Sequence, residues 1–137
     1  MAAFGRTSQR RLDSCSEKFK IVMPKVIAQL PYTCPETGLT IVDCGIICGH
    51  RDEHEQEEAY RLGNSKARWG QSKHNSFPSK ACDTLPMVEG KYVWDDRELH
   101  RAYAKLVMDT AWHNGFKWKW GGDFTSFYDG PHFEEAE

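Results

Sequence analysis

The sequence predicts an α+β domain, a small antiparallel sheet with helices packed on one side. Three observations predict it. Apolar residues recur at helical spacing in two separate stretches, near 16–30 and from Asp95 to just before Gly115. Short runs carrying Ile, Val or Trp, bounded by Gly and Pro, lie between and after them. The chain has 137 residues, room for one hydrophobic core and not for two. The expectation is therefore one domain over 1–137.

The elements follow in order. Phe19, Val22, Met23, Val26, Ile27 and Leu30 form the stripe of a first helix, and Pro24 inside it is expected to kink or divide it. Pro31 to Gly38 is rich in turn residues. Leu39 to Cys48 is short and rich in Ile and Val, which favours a strand. Asp52 to Leu62 is charged and followed by Gly63, which reads as a short helix with a glycine stop. Residues 63–80 carry Gly, Asn, Ser and Pro without periodic apolar positions, a long loop of the kind that usually serves function. Ala81 to Leu85 reads as a strand, and Met87 to Trp94 as a hairpin turning at Gly90. Asp95 opens the longest helix, with Glu98 completing an Asp-type capping box. Leu99, Ala102, Tyr103, Leu106 and Thr110 continue one face of it, and Gly115 ends it. Lys117 to Trp120 alternates as a strand does, 121–131 is a loop, and His132 to Glu134 reads as a last short strand.

Composition excludes several classes. Hydrophobic residues at 39% and charged residues at 28% describe a chain that can fill a core, not a disordered one. No apolar run is long enough to cross a membrane, and Met1 to Arg11 lacks the apolar segment of a secretory signal. A net charge of −2 removes the electrostatic case for a nucleic-acid binder, so Trp118 and Trp120 are expected in the core. Five cysteines without a C-x-x-C read as reduced thiols packed as small hydrophobes. Pairing of Cys34 with Cys44 stays open.

Six histidines offer metal chemistry. His100 and His113 lie on the long helix without ligand-spaced company and read as structural. Two constellations compete for an ion. His50-Arg51-Asp52-Glu53-His54 matches H-x-x-E-H, in which two imidazoles one helical turn apart would chelate and Glu53 would act as base. The second is dispersed: His74 in the long loop, Asp83 on a strand and His132 at a strand start, two imidazoles and one carboxylate that would leave a catalytic zinc one open position. Strand alternation puts Cys82 and Asp83 on opposite faces, so the carboxylate is the ligand and Cys82 packs. Asp129, three residues before His132 across a Gly-Pro turn, could accept a proton from water at such a site.

The dispersed set resembles the zinc D,D-/L,D-peptidases, and most closely the phage L-alanyl-D-glutamate peptidases related to the VanY-like D-Ala-D-Ala carboxypeptidases. Their pattern runs S-x-H-x-x-G-x-A-x-D, followed by D-x-x-H or E-x-x-H. Ser72, His74, Ala81, Asp83, Asp129 and His132 match it. The opening Phe4-Gly5-Arg6-Thr7-Ser8 with Leu12, the Cys48-Gly49-His50-Arg51 element with Gln56 after it, and Trp120-Gly121-Gly122-Asp123-Phe124 are similar as well. There are departures. Nine positions separate His74 from Asp83, two more than the pattern, and Ser79 stands where Gly is common. The Cys34–Gly38 insertion has no obvious role.

The resemblance implies a hedgehog/D-Ala-D-Ala-peptidase-like fold and zinc at His74, Asp83 and His132. It implies Asp129 as general base and then acid, and Arg51 as a contact for a substrate carboxylate or the oxyanion. Gln56 and Ser72 are further substrate-side candidates, with Lys73 or Lys80 assisting an acidic substrate. The implied function is an endolysin cutting peptidoglycan stem peptides at the L-Ala-D-Glu bond to lyse a host. The alternatives are a D-Ala-D-Ala carboxypeptidase and a non-catalytic zinc-stabilised wall-binding module. It would act as a monomer, without nucleic-acid partner or membrane insertion. It would wait in the host cytoplasm for a holin-dependent exit to the periplasm and wall.

Overall fold

The computed structural model describes residues 3–136. Its helices are α1 (Arg6–Asp13), α2 (Glu17–Ala28), α3 (Glu53–Arg61) and α4 (Arg97–His113). Its strands are β1 (Tyr32–Thr33), β2 (Thr40–Ile41), β3 (Asp43–Cys48), β4 (Ala81–Val88), β5 (Lys91–Tyr92), β6 (Trp118–Trp120) and β7 (His132–Glu135). The main sheet runs β3-β4-β7-β6 with β5 added on β4, and all its pairings are antiparallel. The expected α+β class is what the chain adopts.

The sheet divides core from site by alternation. Cys82 pairs with Phe133, and Phe133 with Trp120; all three are buried in the core with Phe19, Val22, Val26, Tyr103 and Leu106 from α2 and α4. One residue along, Asp83 pairs with His132, which puts both on the other face. A one-residue slip between β4 and β7 would bury the acid and expose the apolar pair. Trp118 and Trp120 are core, as their alternation with Lys predicts.

Several local expectations are corrected. Pro24 does not divide the first helix: α2 is continuous, because Pro24 sits on its exposed side while Val22, Met23, Val26 and Ile27 are buried. The carbonyl left without a partner by the missing N–H can there be reached by water. The stretch 39–48 is two strands, not one, in two different sheets. Met87 and Val88 extend β4 rather than starting a separate hairpin strand, and the turn to β5 is Glu89-Gly90, both with positive φ. The long helix is capped by Asp96, not Asp95: its carboxylate accepts from the Leu99 amide at 3.0 Å, and with Leu99 at that position no capping box forms. The charged α1 had no periodic apolar signal, since Leu12 is its one buried residue. All five cysteines are free, Cys34 and Cys44 included.

Candidate active site

His74, Asp83 and His132 converge. His74 sits in a short 3-10 turn, Lys73–Asn75, whose start is capped by Ser72: the Ser72 hydroxyl accepts from the His74 amide at 3.1 Å. Asp83 and His132 are cross-strand partners on β4 and β7. His74 Nε2 lies 3.1 Å from Asp83 Oδ1 and 3.3 Å from His132 Nδ1, and the third side, His132 Nδ1 to Asp83 Oδ1, is 3.2 Å. This near-equilateral triangle matches one face of a tetrahedral site. Metal–ligand bonds of about 2.0 Å put neighbouring ligand atoms about 3.3 Å apart.

Each imidazole is oriented from behind. His74 Nδ1–H donates to the Gly49 carbonyl at 2.7 Å, and His132 Nε2–H donates to Glu134 Oε1 at 2.8 Å. Both outward nitrogens being spent as donors, the inward nitrogens present lone pairs. Two lone pairs and a carboxylate oxygen facing one another attract a cation. The electrostatics agree. Burial works against a charged His74, but the Asp83 carboxylate outweighs it and pushes the imidazole up to about 10. Burial likewise opposes charge on His132, and Asp83 with Glu134 pushes it up to about 9. Asp83 is held well below the usual carboxylate range: burial would raise it, and the two histidines prevail. Protons and a metal compete for these same atoms. Among the described residues this is the one group of three His, Cys, Asp or Glu side chains placed to share an ion. The donor set, two nitrogens and one oxygen, suits zinc.

The H-x-x-E-H stretch does not form a site. Asp52, between the histidines, is the N-cap of α3, with a full capping box to Glu55. His50 therefore lies outside the helix, and its Nδ1–H donates to the Ser76 carbonyl at 3.0 Å. His54 is exposed on the first turn.

Asp129 approaches the triad from the loop before β7, with Oδ2 4.0 Å from His132 Nδ1. Burial, and then the nearby Asp83 charge, raise its pKa above the ordinary value. Its backbone is pinned by a bond from the Asp129 amide to the Gly121 carbonyl at 3.0 Å. Gly121 must be glycine, because a Cβ there would fall 2.1 Å from the Asp129 carbonyl oxygen. Gly49 is fixed for the same reason, packed against Ser14 and Arg11 at the end of α1.

Arg51 points at the triad, its Nη2 3.6 Å from Asp83 Oδ2. Gln56 holds it there, accepting from Arg51 Nη1 at 2.8 Å. Gln56 itself corrects an expectation. It is 0% exposed and its amide is fully committed, accepting also from Asn75 and donating to Ser65 and to the Ala67 carbonyl. It reaches Arg51 and the loop, not a substrate. Ser72 lines the cleft, and its oxygen also accepts from the His74 amide as the cap under that residue. Lys73 is also spent: it pairs with Glu134 at 3.5 Å and donates to the Glu135 carbonyl.

The triad opens into a cleft of about 520 Å³. Phe124, Phe127 and Tyr128 supply its aromatic lining, and Gly63 to Ala67 a polar one. Tyr128 is held by His100, which accepts from the Tyr128 hydroxyl at 2.8 Å while donating to the Val93 carbonyl at 2.7 Å. Sequence reasoning gave Glu134 no role, though its position two residues after His132 on a strand, hence on the same face, was a usable signal. The Gly49 carbonyl carried no such signal, whereas the 63–67 lining falls in the 63–80 loop whose length pointed to function.

Comparison with known proteins bears on what this arrangement is. The chain is 34% identical over 105 residues to the peptidoglycan L-alanyl-D-glutamate endopeptidase CwlK of Bacillus subtilis, a stretch covering 68% of this chain and 60% of that protein. The matched stretch is thus less than two thirds of that relative's length. The crystal structure of the Serratia marcescens L-Ala D-Glu endopeptidase ChiX has the same fold, with a TM-score of 0.75 at 24% identity over 97% of this chain and 89% of that one. The profile of the phage L-alanyl-D-glutamate peptidases matches residues 1–135, a span that takes in all three triad residues, Arg51 and Asp129. On that match this chain belongs to the phage L-alanyl-D-glutamate peptidase family.

Proposed function

We propose that this chain is a zinc peptidase that hydrolyses the L-Ala-D-Glu amide of peptidoglycan stem peptides, as a phage endolysin. The triangle of His74 Nε2, Asp83 Oδ1 and His132 Nδ1 carries the reading. These three would hold the zinc. Bound there, zinc would supply Lewis acidity to the scissile carbonyl and to a water, with a fourth position open.

The chain's own residues divide the remaining work. Asp129, partly buried beside the triad, accepts the proton of the attacking water and returns it to the leaving amine. Its raised pKa brings the carboxylate closer to the range in which it can do both. Arg51 presents a guanidinium, held by Gln56, to the oxyanion that develops on the carbonyl. Ser72 and Gln56 act one step back, by fixing His74 and Arg51. Phe124, Phe127 and Tyr128 give one part of the cleft an aromatic wall for the substrate to pack on. The domain assignment is a single catalytic unit over 1–137, monomeric, released from the host cytoplasm to the wall through a holin-dependent exit.

The test combines zinc content with chemistry. Protein loaded with zinc should bind one equivalent and release new L-Ala carboxyl and D-Glu amino termini from purified peptidoglycan. Release of free D-Ala instead would make it a carboxypeptidase. One bound zinc with no peptide product would make it a wall-binding module. Neither zinc nor product would end the proposal.

A further inference from the structure

The cleft holds three carboxylates, Asp83, Asp129 and Glu134, yet the proposed substrate is itself acidic on the leaving side. A free side-chain cation, beside the zinc of the peptidase reading, is the group suited to meet that charge, and most candidates are engaged. Arg51 is bonded to Gln56 and faces Asp83. Lys73 is bonded to Glu134 and the Glu135 carbonyl. Lys80 is exposed and does not line the cleft.

Lys66 does line it. Its side chain is exposed, and among the described residues no carboxylate lies within ion-pair distance of it. The residues on either side of it, Ser65 and Ala67, are nonetheless anchored by one buried group. Gln56 Nε2 donates to Ser65 Oγ at 3.0 Å and to the Ala67 carbonyl at 2.6 Å. The Ala67 amide donates in turn to Ser65 Oγ at 3.1 Å. The oxygen of the same Gln56 amide accepts from Arg51 Nη1, so the lysine-bearing segment and the oxyanion contact share one anchoring side chain.

From this we infer that Lys66 is the specificity-determining residue of the cleft, recognising a free carboxylate on the glutamyl residue whose amine is released. The inference rests on the peptidase reading above and names the group that selects its substrate. An ammonium on a flexible stem suits a carboxylate whose position varies with the peptide, and the fixed backbone limits how far it must search.

The experiment uses two synthetic peptides that contain L-Ala-D-Glu and differ at one group, the glutamyl carboxyl being free in one and a primary amide in the other. The zinc-loaded full chain should prefer the acid roughly ten-fold or more in kcat/KM, the usual worth of one charge-assisted hydrogen bond. Most of that preference should lie in KM. Lys66→Ala should bring the two peptides to within about two-fold of each other, and Lys66→Arg should restore much of the preference. A wild type indifferent to the amide, or a Lys66→Ala variant that keeps the full ratio, overturns the inference while leaving the peptidase reading intact. If the wild type cleaves neither peptide, the peptidase reading fails and the inference falls with it.

Discussion

His50 and His54 are one helical turn apart in sequence; His74 and His132 are 58 residues apart. The distant pair meets at 3.3 Å, and the near pair is split by the cap of a helix. Spacing of i,i+4 places two side chains together only when both residues are inside the helix, and the Asp52 capping box puts His50 outside it. The distant pair needs no such local coincidence. β7 is hydrogen-bonded to β4, so His132 stands opposite Asp83 whatever separates them in the chain, and the capped turn delivers His74 to the same place. Tertiary register is the stronger determinant of a site than local spacing.

Substitution of the triad breaks this contrast most severely. His74→Ala, Asp83→Ala or His132→Ala should abolish stoichiometric zinc and lower peptidase activity at least about 10³-fold, whereas His50→Ala and His54→Ala should keep full zinc content by metal analysis. Zinc retained by His132→Ala and lost from His54→Ala would reverse the comparison. Next comes Asp129→Ala, expected to hold zinc yet lose about 10²–10⁴ in kcat, the range for a positioned general base. Glu134→Gln tests the support behind His132. Zinc affinity, measured by competition with a chelator, should fall about 10–100-fold, and activity should recover at high zinc.

Smaller effects sharpen the comparison on the side of stability. Gly121→Ala forces a Cβ against the Asp129 carbonyl and should cost about 1–3 kcal/mol in denaturant unfolding, with activity reduced through displaced Asp129. His54→Ala should change stability by less than about 0.5 kcal/mol, because the side chain is exposed.

Much of the fold was legible because it rests on local physics. The α2 and α4 stripes and the Trp alternation of β6 each bury a face that periodicity reveals, and the Asp52 to Leu62 helix is marked by its charged run and glycine stop. Where local signals failed, a tertiary contact had decided. Helix α1 has too few apolar residues to announce itself and is held by packing against β3 and by Gly49. Pro24 is tolerated because the surrounding apolar residues anchor α2 on its other side. The candidate ligands were visible as residue types and by family pattern. The partners behind them, the Gly49 carbonyl and Glu134, act through atoms that a one-dimensional pattern does not orient. Gln56 shows the limit most clearly. A glutamine in a charged helix reads as a surface residue, yet it is buried as the anchor between Arg51 and the cleft lining.

Sequence by itself determined most of the elements, the division of Cys82 from Asp83 across the sheet, and the two sets of residues able to share an ion. Those follow from periodicity and side-chain chemistry, which act over a few residues. Tertiary structure alone decided which histidines meet, which nitrogen each turns inward, and which lysine is left free in the cleft. These depend on strand register and on hydrogen bonds between segments far apart in the chain, and no local rule carries that information.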